Sequence, residues 1–184
     1  MDLSKNARVV FALLFALTLV SCGKPQPDAA PSTIVLIVRH AEKASDAEDS
    51  PLTEAGAQRS QALVRVAEGA GVSAIYTTQF KRNRDTAQPI SERLKIAVTQ
   101  LPIQDLQNPG DYGKTLAREV TEKHAGQTVL VVSHSNTIPL ILEALTGQPA
   151  PVDHAEYSDL FIVTVPPSGA PRLIKAQYGA GAAN

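Results

Sequence analysis

Two short apolar runs rich in β-branched residues constrain this chain most: Ile34-Val35-Leu36-Ile37-Val38 and Val129-Leu130-Val131-Val132. Neither alternates polar with apolar, so each reads as a strand buried on both faces, the situation at the centre of a parallel sheet. Each run leads into a dipeptide ending in histidine, Arg39-His40 in one case and Ser133-His134 in the other. Ligand chemistry in open α/β sheets collects just beyond the carboxyl ends of the strands. The pattern therefore predicts that two histidines far apart in sequence meet at one rim of one sheet.

The rest of the chain switches between strand and helix periods. A first strand covers Thr33–Arg39. Residues 51–69 carry a helical stripe (Leu52, Ala55, Ala62, Leu63, Val66, Ala67), with Thr53 as N-cap. A strand is predicted over 73–78, then a helix over 82–94 that Pro89 should kink or restart. A third strand follows over 96–101 and a helix over 111–124, stopped by Gly126. The clearest strand is 128–133. After it comes a nearly all-apolar helix, 136–145, ending at Gly147 and therefore expected to be buried. Closing strands over 160–165 and 171–176 flank a Pro-Pro-Ser-Gly turn. This alternation predicts an α/β fold, a three-layer αβα sandwich on a mostly parallel central sheet, with an antiparallel strand near the end. The domain is placed at residues 33–178, and the Gly/Ala-rich residues 179–184 read as a disordered tail.

The chain has 184 residues, a net charge of −1 and a pI near 6.4, which leaves no basic footprint for nucleic acid. At the N-terminus, Lys5 and Arg8 precede an apolar stretch over 9–20, long enough for a signal-peptide core but short for a membrane span. The stretch ends in Leu19-Val20-Ser21-Cys22, which resembles a bacterial lipobox, and Cys22 is the only cysteine. The alternative is an ordinary secretory signal with an incidental cysteine; the position of Cys22 favours lipidation. Residues 1–21 then form a lipoprotein signal peptide, and 22–32, with three prolines, a flexible tether. Several acyl chains on Cys22 would anchor the protein stably in the bacterial envelope, facing the periplasm. Gly23 resembles the pattern that sorts lipoproteins to the outer membrane. An acylated thiol leaves no disulfide, so the fold must stand on its core.

Several familiar motifs fail on inspection. Gly113-Lys114-Thr115 mimics the end of a phosphate-binding loop, but Asn108 stands where its first Gly belongs and no clear strand precedes it. There is no Gly-x-Ser-x-Gly elbow and no His-Glu-x-x-His pair. Four ordered blocks remain. They are Val38-Arg39-His40-Ala41-Glu42-Lys43, Leu52-Thr53-Glu54-Ala55-Gly56, the stretch from Tyr76 to Ala87, and Val132-Ser133-His134-Ser135-Asn136-Thr137. Together they resemble the signature of the histidine phosphatase superfamily, phosphoglycerate-mutase-like, branch 1. That signature has Arg-His-Gly-Glu first, then an Arg four residues before Thr-Ala, and finally Ser-His-Gly. The resemblance runs from about Ile34 to Leu145.

The resemblance implies a phosphatase that needs no cofactor and works through a phosphohistidine on His40, and the residue types suit that chemistry. Neutral imidazole is a good nucleophile toward phosphorus, and a covalent intermediate splits one hard hydrolysis into two easier steps. Its attacking nitrogen must be bare, so the other ring nitrogen needs a fixed acceptor. The phosphoryl group in transfer carries charge on three equatorial oxygens, which calls for fixed cations. Arg39 and Arg82 are expected to supply forked donors, and His134 to complete the pocket as imidazolium. Ser135 and Asn136 would cap the following helix or touch the phosphate, beside its N-terminal amides. Ala41, Lys43 and Ser135-Asn136 depart from the family pattern without removing a needed charge. For the general acid, Asp105 is the first choice, with Glu42 and Asp159 in reserve.

Bland roles are expected for the other polar residues. Lys81 and Arg84 belong to a solvated face, His124 to a helix C-terminus, and Thr53 and Gly56 to helix capping and packing. His154 is a surface residue that could edge a substrate pocket. The expected substrate is a phosphorylated small molecule, an envelope glycan or a phosphoprotein. Three alternatives stand beside this reading. One is a non-catalytic phosphate- or phosphoglycan-binding lipoprotein. Another is a mutase, disfavoured because Ser45-Asp46-Ala47 lacks the expected Asn. The third is a divalent-metal hydrolase using His40, Glu42, Asp85 and His134, disfavoured by the flanking arginines. Specificity should lie in three loops, 42–51, 104–113 and 149–158.

Overall fold

The structure, a computed structural model, describes residues 30–179. The expected signal segment, Cys22, the expected tether as far as residue 29, and the expected tail over 180–184 lie outside the described residues. The elements run β1 (Thr33–Arg39), α1 (Glu54–Gly69), β2 (Val72–Thr77), α2 (Lys81–Leu94), β3 (Val98–Gln100), α3 (Gly110–Lys123), β4 (Thr128–Ser133), α4 (Ile138–Thr146), β5 (Asp159–Val165) and β6 (Arg172–Gln177).

The six strands form one sheet in the order β3-β2-β4-β1-β5-β6. The first four run parallel, and β5 and β6 are antiparallel additions on one edge. Helices α1 and α2 bury Leu63, Ala67, Ala87 and Ile90 against Leu36, Val38, Leu130 and Val132 on one face. On the other face, α3 and α4 bury Leu116, Val120, Ile138, Ile141 and Leu142 against Val35, Ile37, Val129 and Val131. Neighbouring residues of β1 and β4 thus serve opposite cores, which is why their sequences are apolar without alternation. The chain leaves β1 toward one face and β4 toward the other, so the β1/β4 boundary is a topological switch point where a ligand crevice is expected.

Local departures from the sequence expectation have physical causes. Pro89 does not restart α2, which runs unbroken through it. Proline lacks the N–H that would bond the carbonyl four residues back, and Ser60 Oγ of α1 donates instead to the Asp85 and Thr86 carbonyls (3.4 and 2.8 Å). Helix α4 begins at Ile138 rather than 136, because the Thr137 and Ile138 amides both turn back to the His134 carbonyl (3.1 and 2.9 Å). Edge strand β3 shortens to three residues. Gly113 sits inside α3, where a Cβ would come within 2.5 Å of the Leu140 carbonyl oxygen. The Gly113-Lys114-Thr115 sequence thus serves close helix packing.

Candidate active site

The register Arg39↔Ser133 between β1 and β4 fixes the centre of the site. His40, one residue beyond β1, donates its backbone N–H to the Ser133 carbonyl (2.9 Å). The His40 and His134 rings therefore meet edge-on with centroids 5.3 Å apart. Both are buried, at 3% and 6% exposure. His40 Nδ1 lies 2.8 Å from the Ala41 carbonyl oxygen, an acceptor only, so Nδ1 carries the proton and Nε2 keeps the lone pair. Burial, with the charges of Arg39, Arg82 and Lys43 added, pushes the His40 pKa down to about 4. The ring is neutral near pH 7, in the tautomer that leaves Nε2 bare.

His134 departs from the sequence expectation of an imidazolium. Burial first, then the neighbouring His40, Arg82 and Arg39, push its pKa down to about 2, so the protein's own groups hold it neutral. Its Nε2 sits 3.0 Å from Thr78 Oγ1, and the ring stands perpendicular to Phe80 at 5.1 Å. Thr137 Oγ1 accepts the His134 backbone N–H (3.1 Å) and pairs with Ser133 Oγ (2.7 Å), which locks the turn.

Two arginines flank the pair. Arg39 is 7% exposed, with Tyr157 stacked 4.0 Å from its guanidinium carbon. It donates to the His154 carbonyl, the Glu156 carbonyl and the Tyr157 hydroxyl. Arg82 lies 4.4 Å over the Phe80 ring and donates to the Glu48 carbonyl (2.6 Å). Each keeps a buried Nε–H with no partner. Helix α2 brings Arg82 to the rim because Asn83 Nδ2 donates to the Val132 and Ser133 carbonyls (3.1 Å each), while Asp49 Oδ1 accepts the Lys81 amide at the helix start (3.0 Å). Thr86 Oγ1 accepts the Ala41 amide (2.9 Å), fastening the residue after His40 to the same helix.

The three acid candidates fare differently from their expectation. Glu42 is held by Arg59, whose Nη2 is 2.7 Å from Oε1 and whose Nε is 3.0 Å from both oxygens. Although burial opposes it, that contact lowers the Glu42 pKa, so the carboxylate is an anchored anion with no proton to give near neutral pH. Asp159 is 3% exposed, at the start of β5, where the Lys175 ammonium 2.8 Å away is its counter-charge. Asp105 is exposed on the loop between β3 and α3, and its Oδ1 accepts the Gln107 and Asn108 amides of that loop (2.9 and 3.1 Å). It lines a hollow with Gln104 and Tyr112, next to the cleft of about 200 Å³ that Phe80, Arg82, Ile103, Leu106, His134 and Asn136 line.

Asn136 thus faces that cleft, whereas Ser135 Oγ lies 2.9 Å from His154 Nδ1. The metal quartet is dispersed, since Asp85 pairs with Lys81 (2.8 Å) and Glu42 with Arg59; among the described residues no three His, Cys, Asp or Glu side chains gather as ligands. His124 spans Tyr76 and Gln127 at the end of α3 (3.0 and 3.1 Å). Thr53 Oγ1 caps α1 by accepting the Gly56 amide (3.0 Å).

Sequence reasoning missed Arg59, Thr78, Phe80 and Tyr157. Arg59 left a trace: with Ser60 it falls on the buried stripe Gly56, Leu63, Ala67, a place where a charge needs a partner. Tyr157 left none, because only the closing of a distant loop brings it to the site.

The sequence model of the histidine phosphatase superfamily (branch 1) matches residues 35–112. Among curated proteins none matches the chain by sequence. Solved structures that resemble it include Bacillus stearothermophilus YhfR, at TM-score 0.63 and 20% identity, covering 77% of this chain and 95% of that one. The protein histidine phosphatase SixA, solved with tungstate, aligns at TM-score 0.60 and 20% identity, over 78% of this chain and 96% of its own. A mycobacterial glucosyl-3-phosphoglycerate phosphatase aligns at TM-score 0.60 and 15% identity, over 77% and 97%. At these identities the likeness is one of fold.

Proposed function

We propose that this chain, whose residues 35–112 match the sequence model of the histidine phosphatase superfamily (branch 1), hydrolyses phosphomonoesters through a phosphohistidine on His40. The observation that carries this reading is the tautomer of His40. Its Nδ1–H is held on the Ala41 carbonyl at 2.8 Å, which leaves Nε2 bare, and the charges of Arg39, Arg82 and Lys43 reach the ring. In the first step Nε2 attacks phosphorus and the ester oxygen leaves; in the second, water attacks the phosphohistidine and releases phosphate. Arg39 and Arg82 take the equatorial oxygens, each with a buried Nε–H available. His134 adds a neutral edge that can take up a proton when a dianion arrives. Asn136 contacts the leaving group from the open side of the cleft.

The similarity to SixA and to a glucosyl-3-phosphoglycerate phosphatase supports phosphorylated small molecules or phosphohistidine as the substrate class, with an envelope glycan as a further option. The lipobox-like end of the leader supports a place in the bacterial envelope, anchored through Cys22 and exposed to the periplasm, with the outer membrane favoured by Gly23.

The test is turnover of 4-nitrophenyl phosphate at pH 5.5–7.5, with and without EDTA, for the wild type and His40→Ala. We expect turnover that EDTA leaves intact, loss of at least a thousandfold in the variant, and an acid-labile, base-stable phosphoenzyme in the wild type alone. No turnover above the variant, together with tight tungstate binding, would make the protein a phosphate-binding lipoprotein. Loss of activity with EDTA would replace the phosphohistidine route with metal chemistry.

A further inference from the structure

The proposed phosphatase cycle needs a proton for the departing oxygen, and the three carboxylates expected from the sequence to give it are otherwise engaged. Glu42 is engaged by Arg59, Asp159 faces Lys175 at 3% exposure, and Asp105 accepts two amides of its own loop. His154 is differently placed. Its loop is pulled onto the site by Arg39, which donates to the His154 and Glu156 carbonyls and to the Tyr157 hydroxyl. Tyr157 from the same loop stands 6.1 Å from the His40 ring. The His154 side chain is fixed at one end only, Nδ1 to Ser135 Oγ at 2.9 Å, and Ser135 is the residue that follows His134.

We infer that His154, oriented by Ser135, is the general acid–base of this site. The inference rests on the phosphohistidine reading and adds a residue to it. As an imidazolium, His154 donates Nδ1–H to Ser135 Oγ and presents Nε2–H at the open end of the ring. When His40 Nε2 forms its bond to phosphorus and the phosphorus–oxygen ester bond breaks, the leaving oxygen takes that proton. The neutral His154 then accepts a proton from the water that attacks the phosphohistidine, the phosphorus–nitrogen bond breaks, and the imidazolium is restored. The Ser135-Asn136 replacement of the family's Gly thereby acquires a purpose. A glycine has no hydroxyl to hold the ring.

Leaving-group dependence tests this in the full-length protein. An alkyl phosphate needs a protonated leaving group, whereas 4-nitrophenolate leaves with little help. His154→Gln should lower kcat/KM, which reports the phosphorylation step alone, by about a hundredfold or more on a simple alkyl phosphate, the scale of general acid catalysis, and on 4-nitrophenyl phosphate by only a few-fold. Ser135→Ala should show the same bias more weakly. A loss equal on both esters, or none, overturns the inference, as does Asp105→Asn giving the biased pattern instead. If the wild type turns over neither ester and forms no phosphohistidine, the phosphatase reading itself falls. If it turns over both and only the bias is missing, His154 alone is excluded.

Discussion

His40 and His134 are held neutral by the fold, and that makes the protein sensitive to acid in a definite window. An unfolded histidine titrates near 6.5, while here the two pKa values lie at about 4 and about 2. Below pH 6.5 the unfolded chain therefore binds more protons than the native state at these two positions, and stability falls as pH falls. The loss stops for each histidine at its own folded pKa. Between pH 6.5 and 5 each buried ring should cost about 2 kcal/mol. Carboxylates with lowered values, such as Glu42, contribute only below this window, since their stabilisation persists until pH drops under the ordinary carboxylate range. An oxyanion among the two arginines reverses the balance by favouring protonated His134. Urea unfolding should thus show a midpoint that drops from pH 7 to pH 5. His134→Gln should flatten the drop, and tungstate should restore the midpoint more at pH 5 than at pH 7. A midpoint indifferent to pH across this interval would mean that the histidines are already charged in the fold.

The elements of the fold meet with little clearance where they build the site, and Gly56 is the tightest place. A Cβ there would fall 2.4 Å from the Glu42 carbonyl oxygen, so α1 crosses the segment after β1 only because this residue has no side chain. The same crossing brings Arg59 onto Glu42 and Thr53 N–H onto the Glu42 carbonyl (2.8 Å). Gly56→Ala should cost about 2–3 kcal/mol, the scale of overpacking, and lower turnover by displacing the segment that follows His40. Gly69→Ala, with nothing within 4 Å of the added carbon, should be neutral or stabilising in denaturant titration. Equal effects of the two substitutions would show that the crossing is looser than the geometry says. The central strands and the meeting of His40 with His134 were legible because burial on both faces leaves an unmistakable sequence trace. The start of α4 was less so, since the turn from His134 to Thr137 is decided by hydroxyl contacts that no periodicity reports. Asp105 was chosen by its place in the chain, but where its carboxylate points is set by two amides of its own loop. The loop carrying His154 and Tyr157 was recognised as variable, yet its closure on Arg39 depends on a contact across more than a hundred residues.

Across the whole molecule, the chain enters the sheet at the end opposite the site. Ala30 and Pro31 line a hollow with Gly126 and Pro166 at the base, and β1 then runs seven residues from Thr33 to Arg39. At about 3.3 Å per residue, that strand separates the entry point from His40 by roughly 20 Å. If Cys22 carries the anchor we propose, the tether attaches at the base, the end of the sheet opposite the catalytic rim. Such an arrangement suits esters in the aqueous envelope over lipid headgroups. Two measurements on membranes of cells making the full-length protein check it together. Mass analysis of the mature N-terminus should find Cys22 first and acylated, with residues 1–21 removed, and Cys22→Ala should leave them uncleaved and unacylated. Turnover of a soluble aryl phosphate should be the same before and after detergent release, because the rim is already open to solvent. A mature chain that starts elsewhere without lipid would remove the anchor. An acylated Cys22 with turnover that rises several-fold in detergent would keep the anchor and turn the rim toward the membrane.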